Sequence, residues 1–418
     1  MKPRILFYSD CPFFAGCEGM LAVLFNSRLI RDSFDVHFLH RVNPEYEAGF
    51  RVAVPEPPPV TALKLPDIDQ FCSDLNKLPG PFGFMAGRLA KALLLRNIFV
   101  WINYFRIRTK VREIKPDLMF VNNGGHPGAY SAIAAVLAGK SAGVPKVIYF
   151  VNNSAVGYDR LSRLPDYLLD RRLARAADVF ASGSRFSAQR LAAVLGLPVK
   201  KLRNLYNGVP VCPPDQAAET VRRNFNIPAG RAVVLSGGLL VRRKGHLFLL
   251  KAMKKLKDSL PAASMPFCLL AGTGVLRAEL ESFIKENGLS GDAALAGFDP
   301  NFYNLINACD IYVQPSIGGE DLPNVVSMAM ACSKPVIGTR LAGIPEQIED
   351  GKTGFLVEPG AADALAEKIA LLAGDAPTAV SLGRAGKARF DAMFTAEAAI
   401  NAYAGLFNDL LAARLPAV

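Results

Sequence analysis

Two doubly wound α/β domains are predicted for this chain of 418 residues. Three observations carry the prediction. The length exceeds what one hydrophobic core comfortably serves, so two domains of about 200 residues each are expected. Short β-rich runs alternate with helical patterns along the whole chain, the mark of βαβ units on a parallel sheet. At GVPVCPPD, residues 208–215, glycine and prolines interrupt the alternation, and it then begins afresh. The expected division is 1–207, 208–390, and a C-terminal helix within 391–418 that returns to the first domain.

In the first domain the run RILFYSD is followed by the helical MLAVLFNSRLIRDS and then by DVHFLHR. A proline-rich loop at 55–66 and a basic helix near 84–113 lead to DLMFVNN, the Ala-rich helix AYSAIAAVLAGKSAG and the strand KVIYFVNN. A helix at 165–177, the strand DVFASGS, a helix at 185–195 and KLRNLYNGV complete it. In the second domain RAVVLSGG precedes the helix HLFLLKAMKKLKDSL, and PFCLLAGTG precedes LRAELESFIKENG. The runs AALAGF, DIYVQPS, PVIGT and GFLVEP follow, each beside a helical pattern.

Composition narrows the function classes. Hydrophobic residues make up 51% and charged residues 20%, which is globular. The formal net charge of +11 suits an anionic partner, whether nucleic acid, acidic lipid headgroups or a phosphorylated small molecule, and equally serves simple solubility. No recognised nucleic-acid-binding module is present, so no nucleic acid is expected as partner. Seven scattered cysteines without a CxxC pair favour reduced thiols in a cytoplasmic protein, and four histidines argue against a multi-histidine metal site. The N-terminal apolar run is too short for a signal peptide and suits a strand. The greasy tract 84–105 contains Arg88, Lys91 and Arg96, which argue against a lipid-spanning helix. Across 88–115, however, Arg106, Arg108, Lys110, Arg112 and Lys115 join those cations among Leu, Ile, Phe and Trp101. That mixture suits either an ordinary amphipathic helix or a helix lying on an anionic membrane surface, with the inner membrane face as candidate location.

Ligands of parallel sheets sit beyond the carboxyl ends of the strands, so functional residues are sought there. After the first strand, Gly16 and Gly19 bracket Glu18 in SDCPFFAGCEG, either a structural turn or a binding loop. After DLMFV stands NNGGHPG, where His126 follows paired glycines and is either a local hydrogen-bonding residue or a ligand contact. In LSGGLLVRRKG, Arg242, Arg243 and Lys244 lie beside Gly237, Gly238 and Gly245. Cations on a glycine-rich turn suit a diphosphate, although a solvated basic turn has the same composition. Gly272 and Gly274 form a second glycine turn in LAGTG, and after DIYVQPS the segment GGEDLPN sets Glu320 and Asp321 where a strand hands over to a helix.

Taken as a set, GGLLVRRKG, AGTGVLRAEL, ALAGF, ACDIYVQPS, EDLPNVVSMAMACSKPVI and GIPEQIEDGKTGFLVEPG resemble the nucleotide-sugar domain of the retaining glycosyltransferases of family 4. NLYNGV matches the strand that precedes that domain, and the N-terminal half is similar more loosely. The resemblance implies a GT-B fold of two Rossmann-like domains facing a cleft, metal-independent hexosyl transfer without cofactor, and a nucleotide-diphosphate sugar as donor. It implies a glycan or lipid-linked acceptor, in polysaccharide or glycolipid synthesis. Lys244 fits the family's diphosphate lysine and Glu320 its sugar-binding glutamate, and His126 stands near a first-domain histidine that contacts the donor; strict offset from Asp117 selects Asn122. Lys244, Glu320 and His126 are the expected catalytic residues. Gly16, Gly238, Arg242, Arg243, Gly272, Gly274, Asp321, Leu322, Pro323 and Asn324 are the expected donor-binding set, with no metal ligand.

Two positions depart from the family pattern. Leu239 stands where the resemblance implies an arginine, and Met328 where it implies a ribose-binding glutamate. A lost charge-assisted contact costs about 1.5–3 kcal/mol. The expectations that follow are a transferase of reduced donor affinity or altered donor preference, or a binding partner subunit that retains the architecture without turnover. A nucleotide-sugar epimerase would share the two Rossmann domains but not the 310–360 block.

Overall fold

A computed structural model describes all residues except 1, 13, 15, 17, 68–70, 75–76, 78–94, 160 and 414–418. The chain forms two units. One gathers the residues up to Tyr206 with the chain from Ala399 onward, and the other runs Asn207–Ala398.

The first unit is built on seven parallel strands: β1 (Arg4–Ser9), β2 (Asp35–Arg41), β3 (Val60–Leu63), β4 (Leu118–Asn123), β5 (Lys146–Val151), β6 (Val179–Ser182) and β7 (Leu202–Asn204). Their order in the sheet is β3-β2-β1-β4-β5-β6-β7. The chain therefore starts in the middle and reverses direction between β1 and β4, where Ser9 pairs with Asn122. Alternation along β1 divides the core between the two faces of the sheet. Ile5 and Phe7 enter one cluster with Phe25, Phe38, Phe120 and Phe150, whereas Leu6 and Tyr8 enter the other with Met119, Val121 and Tyr149. The first cluster is completed by the helix Ala396–Ala412, whose Tyr403 and Phe407, four residues apart, pack on Phe120 and Phe7. Burying an aromatic side chain contributes about 1.5–3 kcal/mol, so this late helix is part of the first unit's stability.

Of the basic helix expected at 84–113, residues 84–94 lie outside the described residues, and the described part runs Leu95–Ile114. It lies against the Ala-rich helix Tyr130–Ser141, which is buried along nearly its whole length. Val100, Asn103, Ile107 and Val111 face inward at helical spacing.

The second unit is a parallel sheet of six strands: β8 (Val233–Gly237), β9 (Phe267–Ala271), β10 (Ala293–Gly297), β11 (Ile311–Gln314), β12 (Val336–Thr339) and β13 (Phe355–Val357), in the order β10-β9-β8-β11-β12-β13. Its strand reversal lies between β8 and β11. β8, β9, β11 and β12 are buried throughout, as their continuous apolar runs require of strands covered on both faces.

Candidate functional site

In the second unit the loops after β8, β9 and β11 are stitched into one surface at the carboxyl ends of the strands. Gly238 N–H donates to the Ala271 carbonyl at 3.0 Å, Leu240 N–H to Thr273 at 2.8 Å, and Ile317 N–H to Arg243 at 2.8 Å. Two glycines make this approach feasible. A Cβ on Gly272, at φ +131°, would stand 1.9 Å from the Gly238 carbonyl oxygen, and one on Gly245, at φ +72°, 1.9 Å from that of Pro315. No side chain fits either place.

This surface brings Lys244 and Glu320 together across 76 residues of sequence. Lys244 Nζ donates to Glu320 Oε1 at 2.5 Å, with both side chains largely buried, at 12% and 6% exposure. Arg243 Nη1 donates to the Gly319 carbonyl at 2.5 Å and lies 4.0 Å from the same Oε1. Ser316 Oγ donates to Oε1 at 2.7 Å, and Gln314 Nε2 approaches it at 3.5 Å. A carboxylate held by an ammonium, a hydroxyl and an amide is an ordered acceptor, and the ammonium beside it is an ordered donor. Gly238 borders the Lys244 side chain: a Cβ there would meet Lys244 Cε at 3.5 Å.

Arg242 is exposed at the start of the short 3-10 turn Arg242–Lys244. Gly274 packs on the Leu240 backbone. Asp321 and Leu322 are buried, and Pro323 precedes the helix Asn324–Ala331, where the sequence places a helix start. Asn207 Nδ2 donates to Asn324 Oδ1 at 3.3 Å. Leu239 is 42% exposed, so the position expected to hold arginine carries an apolar side chain open to solvent. Met328 is half-buried, and the neighbouring Ser327 hydroxyl accepts from Gln347 Nε2 at 2.7 Å. His246, next to Lys244, is buried with Nδ1 unpaired, and burial followed by the Lys244 charge lowers its pKa to about 4.

The first unit has its own polar concentrations at the strand ends. Gly16 occupies an exposed turn. Glu18, bracketed by Gly16 and Gly19, points into the protein and is fully buried. Its Oε1 accepts from Ser9 Oγ at 2.7 Å and Asn122 Nδ2 at 2.9 Å, and its Oε2 from the Tyr46 hydroxyl at 2.7 Å. Burial raises the Glu18 pKa, against the lowering effect of these bonds. Asn152 Nδ2 extends the network, donating to Asn122 Oδ1 at 2.7 Å.

His126 is likewise enclosed, with an exposure of 1%. The expectation that its ring meets a donor contrasts with a ring whose two nitrogens both face internal partners. Nδ1 lies 3.2 Å from the Tyr149 hydroxyl and Nε2 3.3 Å from Asp170 Oδ1, with Arg163 Nη2 also near Nε2. Burial would raise the Asp170 pKa, but bonds from His126 and Tyr158 and the charge of Arg163 bring it below the usual carboxylate value. Arg163, Asp170 and Tyr149 were not legible as partners of His126, because each comes from a different stretch of chain. Among the described residues no cluster of three or more His, Cys, Asp or Glu side chains could hold a metal ion.

Each half of the chain matches a known domain. Residues 27–208 match the glycosyl transferase 4-like domain, and residues 217–389 the glycosyl transferases group 1 domain. A GDP-mannose-dependent alpha-(1-6)-phosphatidylinositol monomannoside mannosyltransferase of Mycolicibacterium smegmatis is 27% identical over 259 residues, covering 59% of this chain and 66% of the relative. The N-acetylgalactosamine-N,N'-diacetylbacillosaminyl-diphospho-undecaprenol 4-alpha-N-acetylgalactosaminyltransferase of Campylobacter jejuni is 30% identical over 215 residues, 51% of this chain and 54% of that one. The chain thus spans just under two thirds of the first relative and about half of the second. Among solved structures, Anabaena HepE in complex with UDP superposes with a TM-score of 0.75 at 19% identity, covering 97% of this chain and 100% of that chain. Sucrose-phosphate synthase of Thermosynechococcus elongatus does so with a TM-score of 0.70 at 19% identity, covering 99% and 100%.

Proposed function

This chain carries a glycosyl transferase 4-like domain and a group 1 glycosyl transferase domain, the pairing of a GT-B glycosyltransferase, and from that premise we propose that it moves a hexosyl unit from a nucleotide-diphosphate sugar to a glycan or lipid-linked acceptor. The observation that carries the reading is the buried Lys244–Glu320 pair at the carboxyl end of a parallel sheet. Lys244, with Arg243 and Arg242, takes the diphosphate, and Glu320 accepts from the sugar hydroxyls. The N-terminal unit receives the acceptor.

In the transfer the acceptor hydroxyl oxygen bonds to the anomeric carbon. The bond from that carbon to the diphosphate oxygen breaks, and the nucleoside diphosphate leaves with the electron pair. The acceptor proton passes to the leaving phosphate on the same face, which retains the anomeric configuration. The ammonium of Lys244 offsets the charge that develops on the leaving group, so no metal ion is required for that step.

Calorimetry with UDP, GDP and ADP sugars tests the reading. One of them is expected to bind saturably, and Lys244→Met to abolish that binding. Absence of saturable binding to every donor would refute it. Leu239 and Met328 favour a second reading, a binding subunit without turnover; donor binding with neither hydrolysis nor transfer would select it.

We further propose that the helix Leu95–Ile114 meets an anionic membrane surface. Ile98, Trp101, Ile102 and Phe105 are exposed at 53%, 42%, 37% and 60% and share one helix face, followed by the basic turns of Arg106, Arg108, Lys110 and Arg112. No helix among the described residues is long and apolar enough to cross a membrane. Binding to anionic over neutral liposomes is expected, and equal partitioning would remove the electrostatic part of this proposal.

A further inference from the structure

Behind Glu320 stands a file of buried polar side chains with a single direction. Tyr312 and Gln314 share one face of β11, and Ser316 follows two residues later; all three are 0–1% exposed. The Tyr312 hydroxyl donates to Gln314 Oε1 at 2.8 Å, much nearer than its other acceptor, the Gly237 carbonyl at 3.5 Å; Gln314 Nε2 donates to Ser316 Oγ at 2.9 Å, and Ser316 Oγ donates to Glu320 Oε1 at 2.7 Å. Each link sets the next. An amide whose oxygen is already engaged must present its nitrogen, and a hydroxyl that accepts an N–H spends its own proton on the remaining partner.

The frame around the file is also fixed. Thr339 Oγ1 donates to the Ser316 carbonyl at 2.8 Å, and Ile317 N–H to the Arg243 carbonyl at 2.8 Å. Without the phenol hydroxyl of Tyr312 the Gln314 amide is free to turn over. Its oxygen would then compete with Glu320 for the Ser316 proton.

We propose that Tyr312, Gln314 and Ser316 are positioning residues that aim the Glu320 carboxylate and, through the 2.5 Å pair, the Lys244 ammonium; this rests on the reading of Glu320 and Lys244 as donor-binding groups. Tyr312 touches neither ion, yet it sets the polarity of the file that ends on one of them. A misaimed Lys244 keeps its charge beside the donor in the ground state but meets the charge that develops on the leaving diphosphate less well, so the loss falls on kcat more than on KM.

Tyr312→Phe is expected to lower kcat about tenfold, with the donor KM within about twofold. Ser316→Ala behaves alike, and Ser316→Thr, which keeps the hydroxyl, restores the rate. A merely structural role would lower the melting temperature without splitting kcat from KM. The ligand-free protein supplies an independent readout, the carboxyl 13C resonance of Glu320, assigned by its loss in Glu320→Gln. That resonance is expected to move in Tyr312→Phe and in Ser316→Ala.

Unchanged kinetic constants with an unmoved resonance would overturn the proposal. If Tyr312→Phe does not fold, the Ser316 pair decides by the same readouts. A wild type that binds no nucleotide sugar while the resonance moves would refute the donor-site reading and uphold the file as the device that orients Glu320.

Discussion

Lys244→Met removes one half of a buried ion pair and leaves the Glu320 carboxylate enclosed at 6% exposure. Breaking a buried pair by deleting one partner typically costs about 3–5 kcal/mol. Ser316 and Gln314 still donate to Glu320, and Arg243 stands 4.0 Å from it, so the lower end applies: about 3 kcal/mol. For a unit of this size that is a fall of about 6–12 °C in melting temperature. Glu320→Gln strands the ammonium in the same way. The double variant Lys244→Met/Glu320→Gln buries no unpaired charge and is expected to be more stable than the sum of the single losses by about 2 kcal/mol. Urea unfolding followed by circular dichroism measures all four corners of this cycle. Single losses below about 0.5 kcal/mol, or strict additivity in the double variant, would refute the pair as a buried, coupled unit.

His246 supplies a pH dependence. Its pKa falls from 6.5 to about 4 through burial, so the unfolded chain binds this proton more readily than the folded one. The stabilising contribution is complete above pH 6.5 and is lost as the pH falls from there toward 4; between pH 7 and pH 5 it amounts to about 2 kcal/mol. His246→Phe should flatten the acid-side stability profile by that amount, and an unchanged profile would count against it. Gly272→Ala forces a Cβ into the Gly238 carbonyl at an unfavourable φ and is expected to cost more than about 1 kcal/mol by urea unfolding. Leu239→Arg and Met328→Glu should each raise donor affinity about tenfold by calorimetry if they stand where the sequence resemblance sets them. Unchanged affinity would mean that the register is wrong.

The fold was readable because alternation of apolar runs with helical patterns is local, and β11, β12 and the helix Asn324–Ala331 lie close to where their sequences indicate. Lys244 and Glu320 were singled out because each sits on a glycine-rich turn in a recognisable block, and the structure brings them together. The file behind them was not. Tyr312, Gln314 and Ser316 in DIYVQPS have the composition of an ordinary strand end, and only the pairing of β11 with β8 and β12 encloses them. Glu18 shows the same limit. A carboxylate between glycines is compatible with a structural turn or a binding loop, and its burial depends on Tyr46 and Asn122, brought in by a separate helix and strand. His126 was singled out for its place after a strand, whereas its enclosure by Asp170 and Tyr149 depends on packing of distant segments.

The helix Ala396–Ala412 places an order on the making of this protein. Phe7 and Phe120, synthesised well before it, have Phe407 as a packing partner. The first unit therefore stays unfinished while the whole of Asn207–Ala398 is synthesised, and is closed only once the helix Ala396–Ala412 follows. A nascent chain halted before residue 396 would carry an open aromatic face, the kind of surface that chaperones bind. The helix Ala396–Ala412 thereby couples the completion of the first unit's core to synthesis of the whole second unit.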